Sequence, residues 1–206
     1  ADAKELPAAT QKRLRFDESK LAVCLDGIAQ LIALPDPNGR VLMQTLLDDG
    51  LLLKKVSCPI GVIGVIFEAR PDALVQISTL CIKSGNCCLL KGGSETANTN
   101  AKLFEIILTA AMEAGLPEGS LGLLQSRQDV LRLNGYIDLI IPRGSNAFVQ
   151  YIMNNTSIPV LGHADGICHV YVDKDADIAE AVRIVTDSKA QYVSVCNAAE
   201  TLLVHR

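Results

Sequence analysis

The chain has 206 residues, 49% of them apolar and 20% charged, with a formal net charge of -4. That size and composition exclude a disordered chain and fit one sizeable core, or one domain and part of another. An acidic balance with no tryptophan and no Lys/Arg block excludes a nucleic-acid groove or an anionic membrane surface as partner.

Helical and strand-like segments alternate throughout, which predicts an α/β fold with a largely parallel sheet. A first helix starts at Asp17, a good N-cap, and places Leu21, Cys24, Leu25, Ile28, Leu31 and Ile32 inward at helical spacing. The LPDPNG stretch at 34–39 ends it. Two apolar runs, 41–47 and 51–56, joined by Asp48-Asp49-Gly50, read as a hairpin. Such a ribbon either crosses to another subunit or lies on the surface of its own domain.

Repeated βα units follow. Ile60 to Phe67 is a strand, and Asp72 caps a helix with Leu74, Ile77 and Leu80 on one face, closed by Gly85. A second strand spans 86–90 and a helix 96–114; a third strand spans 120–124, with a short helix at 129–133. A fourth strand at 137–141 leads through Pro142-Arg143-Gly144 into another helix. Short strands at 158–161 and 168–172, a helix at 176–189 with Ile178, Ala181, Val182 and Val185 inward, and a strand at 201–204 complete the series.

No apolar run approaches the roughly 20 residues that span a bilayer. The opening residues lack both the apolar core of a signal peptide and an initiator methionine, so a processed or truncated N-terminus is expected. Seven cysteines in such a chain read as reduced thiols of a cytoplasmic protein. Six of them, Cys24, Cys58, Cys81, Cys87, Cys88 and Cys168, are expected as small core hydrophobes.

Three features carry chemistry. The turns KGGSE (91–95) and PRGSN (142–146) join strands to helices, where an open α/β sheet binds ligands. Their glycines admit a phosphate to the backbone and the following helix N-terminus favours negative charge, with Lys91, Arg143 and Ser145 as candidate contacts. Glycine-rich βα turns are also ordinary structural punctuation, and there is no GxGxxG fingerprint. Cys196, in VCNAAETLLVH (195–205), reads as a loop cysteine beside backbone amides, able to act as a nucleophile. His163, Asp165, Cys168 and His169 crowd GHADGICHVYVD (162–173), but their spacing fits no standard zinc pattern.

Five segments, 59–76, 82–95, 136–146, 158–177 and 195–205, resemble γ-glutamyl phosphate reductase in order and spacing, and the likeness covers essentially the whole chain. The wording is closest to the reductase part of bifunctional eukaryotic proline-synthesis enzymes. That family sits in the aldehyde dehydrogenase superfamily. The resemblance implies a three-layer open sheet with a Rossmann-like cofactor domain lacking GxGxxG and a protruding hairpin at about 40–57.

The resemblance implies an NADP-binding domain over 1–195 and, at 196–206, the start of a catalytic domain cut short, so that the chain is a poorly active fragment. The nucleophile falls on Cys196, with Asn197 beside it as the oxyanion region. The cofactor turns fall on Lys91, Gly92, Gly93 and Ser94 and on Pro142, Arg143, Gly144 and Ser145. Ser94 stands where relatives carry a ribose-binding glutamate, which favours NADPH over NADH. Arg70, His163 and Asp165 border the substrate, or else serve as a structural ion pair and a hydrogen-bonded loop. Glu68-Ala69-Arg70 and Leu161-Gly162-His163 replace the asparagine and the glutamate base of hydrolytic relatives.

The implied reaction is reduction of L-glutamyl 5-phosphate to glutamate 5-semialdehyde and phosphate in proline biosynthesis, through a Cys196 thioester. A homo-oligomer and a fused or associated glutamate 5-kinase are implied partners. The alternatives are a nucleotide-binding module without turnover and a dehydrogenase of another semialdehyde.

Overall fold

The computed structural model describes residues 14–68, 70–162, 166–193 and 197–206. The chain divides into two compact units, residues 1–162 and 163–206. Among the described residues no helix is long and apolar enough to cross a membrane.

In the first unit the Asp17 carboxylate accepts from the Lys20 N–H and caps α1 (Glu18–Ala33). This helix packs on α2 (Pro71–Lys83) through one stripe, with Cys24 buried and Ile28 and Leu31 half-buried. Leu21, Leu25 and Ile32, expected inside, are exposed, because one neighbouring helix covers only one stripe of a cylinder. The hairpin forms as expected from β1 (Val41–Asp48) and β2 (Leu51–Val56). Gly50 turns it with φ of +76°, a conformation that a Cβ would penalise. Every residue of both strands is exposed.

The four βα strands are β3 (Val62–Phe67), β4 (Cys87–Lys91), β5 (Leu121–Leu123) and β6 (Leu139–Arg143). They form one parallel sheet in the order β5-β4-β3-β6. β3 reads as an unbroken apolar run because both its faces are covered. Ile63, Val65 and Phe67 face a core built with α2 and with α3 (Ala97–Glu113). Ile66 faces a second core, made with α4 (Arg127–Arg132) and α5 (Asn146–Asn154). The unit is therefore a helix–sheet–helix sandwich of three layers. At the start of the sheet, Asp138 Oδ2 accepts from the Val62 N–H at 2.7 Å and ties β6 to β3.

Several boundaries differ from expectation. Asp72 is not the cap of α2: Arg70 holds that position and Pro71 opens the helix, while Asp72 pairs with Lys20 of α1 at 3.3 Å. The buried face of α2 is Leu74, Val75, Ser78 and Cys81, which turns Leu80 outward. Strand β6 runs two residues later than predicted, so Pro142 and Arg143 end the strand instead of opening the turn. A proline fits there because a strand end does not require its N–H. Residues 158–161 make a single bridge, Val160 to Ile140, instead of a strand. Of the six cysteines placed in the core, Cys24, Cys81 and Cys88 are buried, Cys87 and Cys168 are half-buried, and Cys58 is exposed just past the end of β2.

The second unit is a βαβ element in which β7 (Cys168–Val172) pairs in parallel with β8 (Ala199–Val204). Asp177 caps the connecting helix α6 (Ile178–Ala190) by accepting from the Glu180 N–H at 2.8 Å. Ala181 and Val185 are half-buried, whereas Ile178 and Val182, expected inward, are exposed. A two-stranded sheet is too narrow to cover the apolar stripe of the helix.

Candidate functional site

The sheet order contains a topological switch. From β3 the chain steps outward through β4 to β5, then returns to place β6 on the other side of β3. Loops leaving β3 and β6 diverge there, and such a crevice at the carboxyl ends of strands is where open α/β sheets bind ligands. Register puts the two predicted turns level: Lys91 and Pro142 both pair with Ile66, and Arg143 pairs with Phe67. The two turns therefore share one edge of the sheet, about 10 Å apart across β3.

Lys91 ends β4 half-buried, and its ammonium donates to the Gly92 carbonyl. Burial pushes its pKa below the ordinary lysine range; the Arg127 charge adds to that shift, and Glu95 and Glu68 oppose it. Gly92 is buried, and a Cβ there would lie 2.0 Å from Asn100 Nδ2. A Cβ on Gly93 would lie 2.0 Å from Glu95 Oε1. Gly92 needs glycine for that close approach, whereas at Gly93 the neighbour is the end of a flexible side chain that can turn away. Ser94 is exposed and opens a 3₁₀ turn, Ser94–Thr96, that runs into α3. The turn carries a negative group of its own, because Glu95 folds its carboxylate against Gly93.

At the second turn Ser145 caps α5 by accepting from the Phe148 N–H at 3.3 Å. A Cβ on Gly144 would meet Phe148 Cδ1 at 2.6 Å and Glu68 Oε2 at 3.1 Å. The missing side chain therefore lets the Glu68 carboxylate and the Phe148 ring close over the switch point. Arg143 is exposed, as is Arg70, and among the described residues neither has an ion-pair partner.

Sequence reasoning missed Arg127. Its Nη2 lies 3.3 Å from Glu68 Oε1, and its guanidinium carbon sits 4.5 Å from the centroid of the Phe148 ring. Ser126, an N-cap three residues after β5 ends, is the available signal that α4 opens near this edge and carries Arg127 with it. The edge thus gathers Lys91, Arg127 and Arg143 with two carboxylates, Glu68 and Glu95. These cations, the helix openings at Ser94 and Ser145 and the bare glycine backbone fit the anionic spine of a dinucleotide.

Asn197 is exposed two residues before β8, in the second unit. Cys196, His163 and Asp165 fall outside the described residues.

The profile of the Aldehyde dehydrogenase family matches residues 14–206. The chain belongs to the aldehyde dehydrogenase family. Within that family it is 64% identical over 208 residues to gamma-glutamyl phosphate reductase of Pelotomaculum thermopropionicum, a match covering 100% of this chain and 48% of that protein. Gamma-glutamyl phosphate reductase from Thermotoga maritima, a solved structure, superposes with a TM-score of 0.91 at 35% identity, covering 98% of this chain and 50% of the other. Glyceraldehyde-3-phosphate dehydrogenase GapN from Methanocaldococcus jannaschii, solved in complex with NADP, superposes with a TM-score of 0.63 at 19% identity, covering 96% of this chain and 42% of the other. At that identity the likeness shows the fold alone. The chain spans about half the length of the curated relatives it matches.

Proposed function

We propose that this chain is the cofactor-binding part of a γ-glutamyl phosphate reductase that uses NADPH. One observation carries the cofactor side of this reading: two glycine-opened, cation-bearing turns stand level on either side of β3 at the switch point. The substrate side rests on similarity to reductases of that name along the full chain. On this reading residues 1–195 form the NADP-binding domain, residues 196–206 begin a catalytic domain, and the exposed ribbon β1–β2 serves a homo-oligomer. A glutamate 5-kinase, fused or associated, would supply the acyl phosphate.

The chemistry assigned to this chain centres on Cys196. Its thiolate attacks the acyl carbon of L-glutamyl 5-phosphate, the C–O bond to phosphate breaks, and a thioester forms. Backbone amides at Cys196 and Asn197 stabilise the oxyanion that develops on the carbonyl. Bound NADPH would supply the hydride that brings the thioester to the aldehyde level. Lys91, Arg127, the turn at 92–94 and residues 142–145 at the end of β6 bind and orient the dinucleotide, while Arg70, His163 and Asp165 border the substrate.

The test runs the reaction in reverse with the full-length protein. Glutamate 5-semialdehyde and phosphate should drive NADP reduction, read by absorbance, and Cys196→Ala should abolish it. Oxidation without phosphate would point to a hydrolytic dehydrogenase, and activity surviving the substitution would remove Cys196 from its role. A steady preference for NAD would overturn the NADPH assignment.

A further inference from the structure

The turn after β4 is held from inside α3. Asn100, one helical turn in and 2% exposed, donates through Nδ2 to Thr96 Oγ1 at 2.8 Å. The Thr96 hydroxyl, itself buried, donates to the Gly93 carbonyl at 3.0 Å. The direction of this relay is fixed by proton count. A carbonyl only accepts and a hydroxyl has one proton, so the Thr96 oxygen must receive the amide N–H. That sets the orientation of the Asn100 amide and turns Oδ1 to a place with no hydrogen-bond partner among the described residues. An unmet buried acceptor is destabilising, and a leucine, branched alike though larger, would not carry one. The same amide fills the space a side chain at Gly92 would need. Asn100 therefore abuts Gly92 and reaches Gly93 through Thr96, at a standing cost to the fold, which points to a role beyond packing.

We propose that Asn100 is the positioning residue of the cofactor turn. Through Thr96 it ties the Gly93 carbonyl inward, where the Thr96 N–H also donates to it at 3.2 Å, and so keeps a repulsive oxygen away from the anionic ligand. This rests on the reading of the turn as a dinucleotide site. What it adds is the residue that shapes the turn.

The experiment uses the full-length protein and three substitutions. Asn100→Leu removes the amide, Thr96→Val removes the hydroxyl at constant shape, and Thr96→Ser keeps it. The NADPH dissociation constant is measured by fluorescence titration beside the thermal midpoint and the steady-state constants. Asn100→Leu and Thr96→Val should each weaken NADPH about tenfold. Their double variant should be no worse than either alone, and Thr96→Ser should bind like the wild type. KM for NADPH should rise with kcat unchanged at saturation, and Asn100→Leu should melt no lower than the wild type. Unchanged affinity in a folded Asn100→Leu, or additive losses in the double variant, would overturn the role of Asn100. If Asn100→Leu does not fold, unchanged affinity in Thr96→Val overturns it equally. A wild-type protein that binds neither NADPH nor NADH defeats the reading of the turn itself.

Discussion

Glu68 and Arg127 meet at 3.3 Å although they follow strands β3 and β5, which are not neighbours in the sheet. The pair reaches across the strand that carries Lys91, whose ammonium feels both charges. Each partner is about 40% exposed, so the contact itself is worth at most about 1 kcal/mol. Its larger effect is on the neighbour. Arg127→Gln removes one cause of the lowered Lys91 pKa and frees Glu68 to oppose the rest, so that pKa should rise. Titration of ¹³C-methylated lysines by NMR checks this; a Lys91 value that falls or stays would refute the coupling.

A lowered lysine gives a pH profile with a definite sign. As pH climbs past the Lys91 value the ammonium loses its proton, and with it the attraction for phosphate. Cofactor affinity should therefore decline on the alkaline side, beginning below the ordinary lysine range. Lys91→Arg stays charged through that window and should flatten the decline. A bound anion raises the Lys91 pKa, so binding there takes up protons, which calorimetry in buffers of different ionisation enthalpy measures.

At the opposite end of the sheet Gly61 has φ of +129°, and a Cβ there would lie 2.1 Å from Asp138 Oδ2, the atom that accepts from the Val62 N–H. Gly61→Ala adds backbone strain to a clash with the tie between β3 and β6. The expected loss is about 2–4 kcal/mol, seen as a lower urea midpoint. An unchanged midpoint would mean that Asp138 moves aside at little cost.

The ribbon β1–β2 exposes Leu42 and Leu46 at 58% and 65%, and a two-stranded ribbon standing alone is marginal in water. In the full-length protein Leu42→Glu with Leu46→Glu should lower the mass read by light scattering and leave far-ultraviolet circular dichroism unchanged. Constant mass would show that the ribbon is not the subunit contact.

The sequence carried the order of the elements well, because Asp17, Gly50 and Gly85 end or begin segments by local chemistry. It carried burial less well. Helical spacing names a face, as for Leu25 of α1 or Val182 of α6, but not whether a neighbour is wide enough to cover it. Lys91 and Gly144 were legible from their glycine turns. Glu68, Arg127 and Phe148 were not, since they converge only when β6 docks on the far side of β3, a pairing far apart along the chain.

That pairing bears on the order of folding. β3 meets β4 across about 25 residues, but Val62 meets Asp138 across 76. Closing the longer loop costs more entropy, so contacts of β6 should form late. The half-site at Lys91 would then exist before the half-site at Gly144. Pulse-labelled hydrogen exchange should find β6 amides protected after those of β3 and β4, with simultaneous protection as the contrary result. Dinucleotide capture would then report the completion of this sheet in a newly made chain.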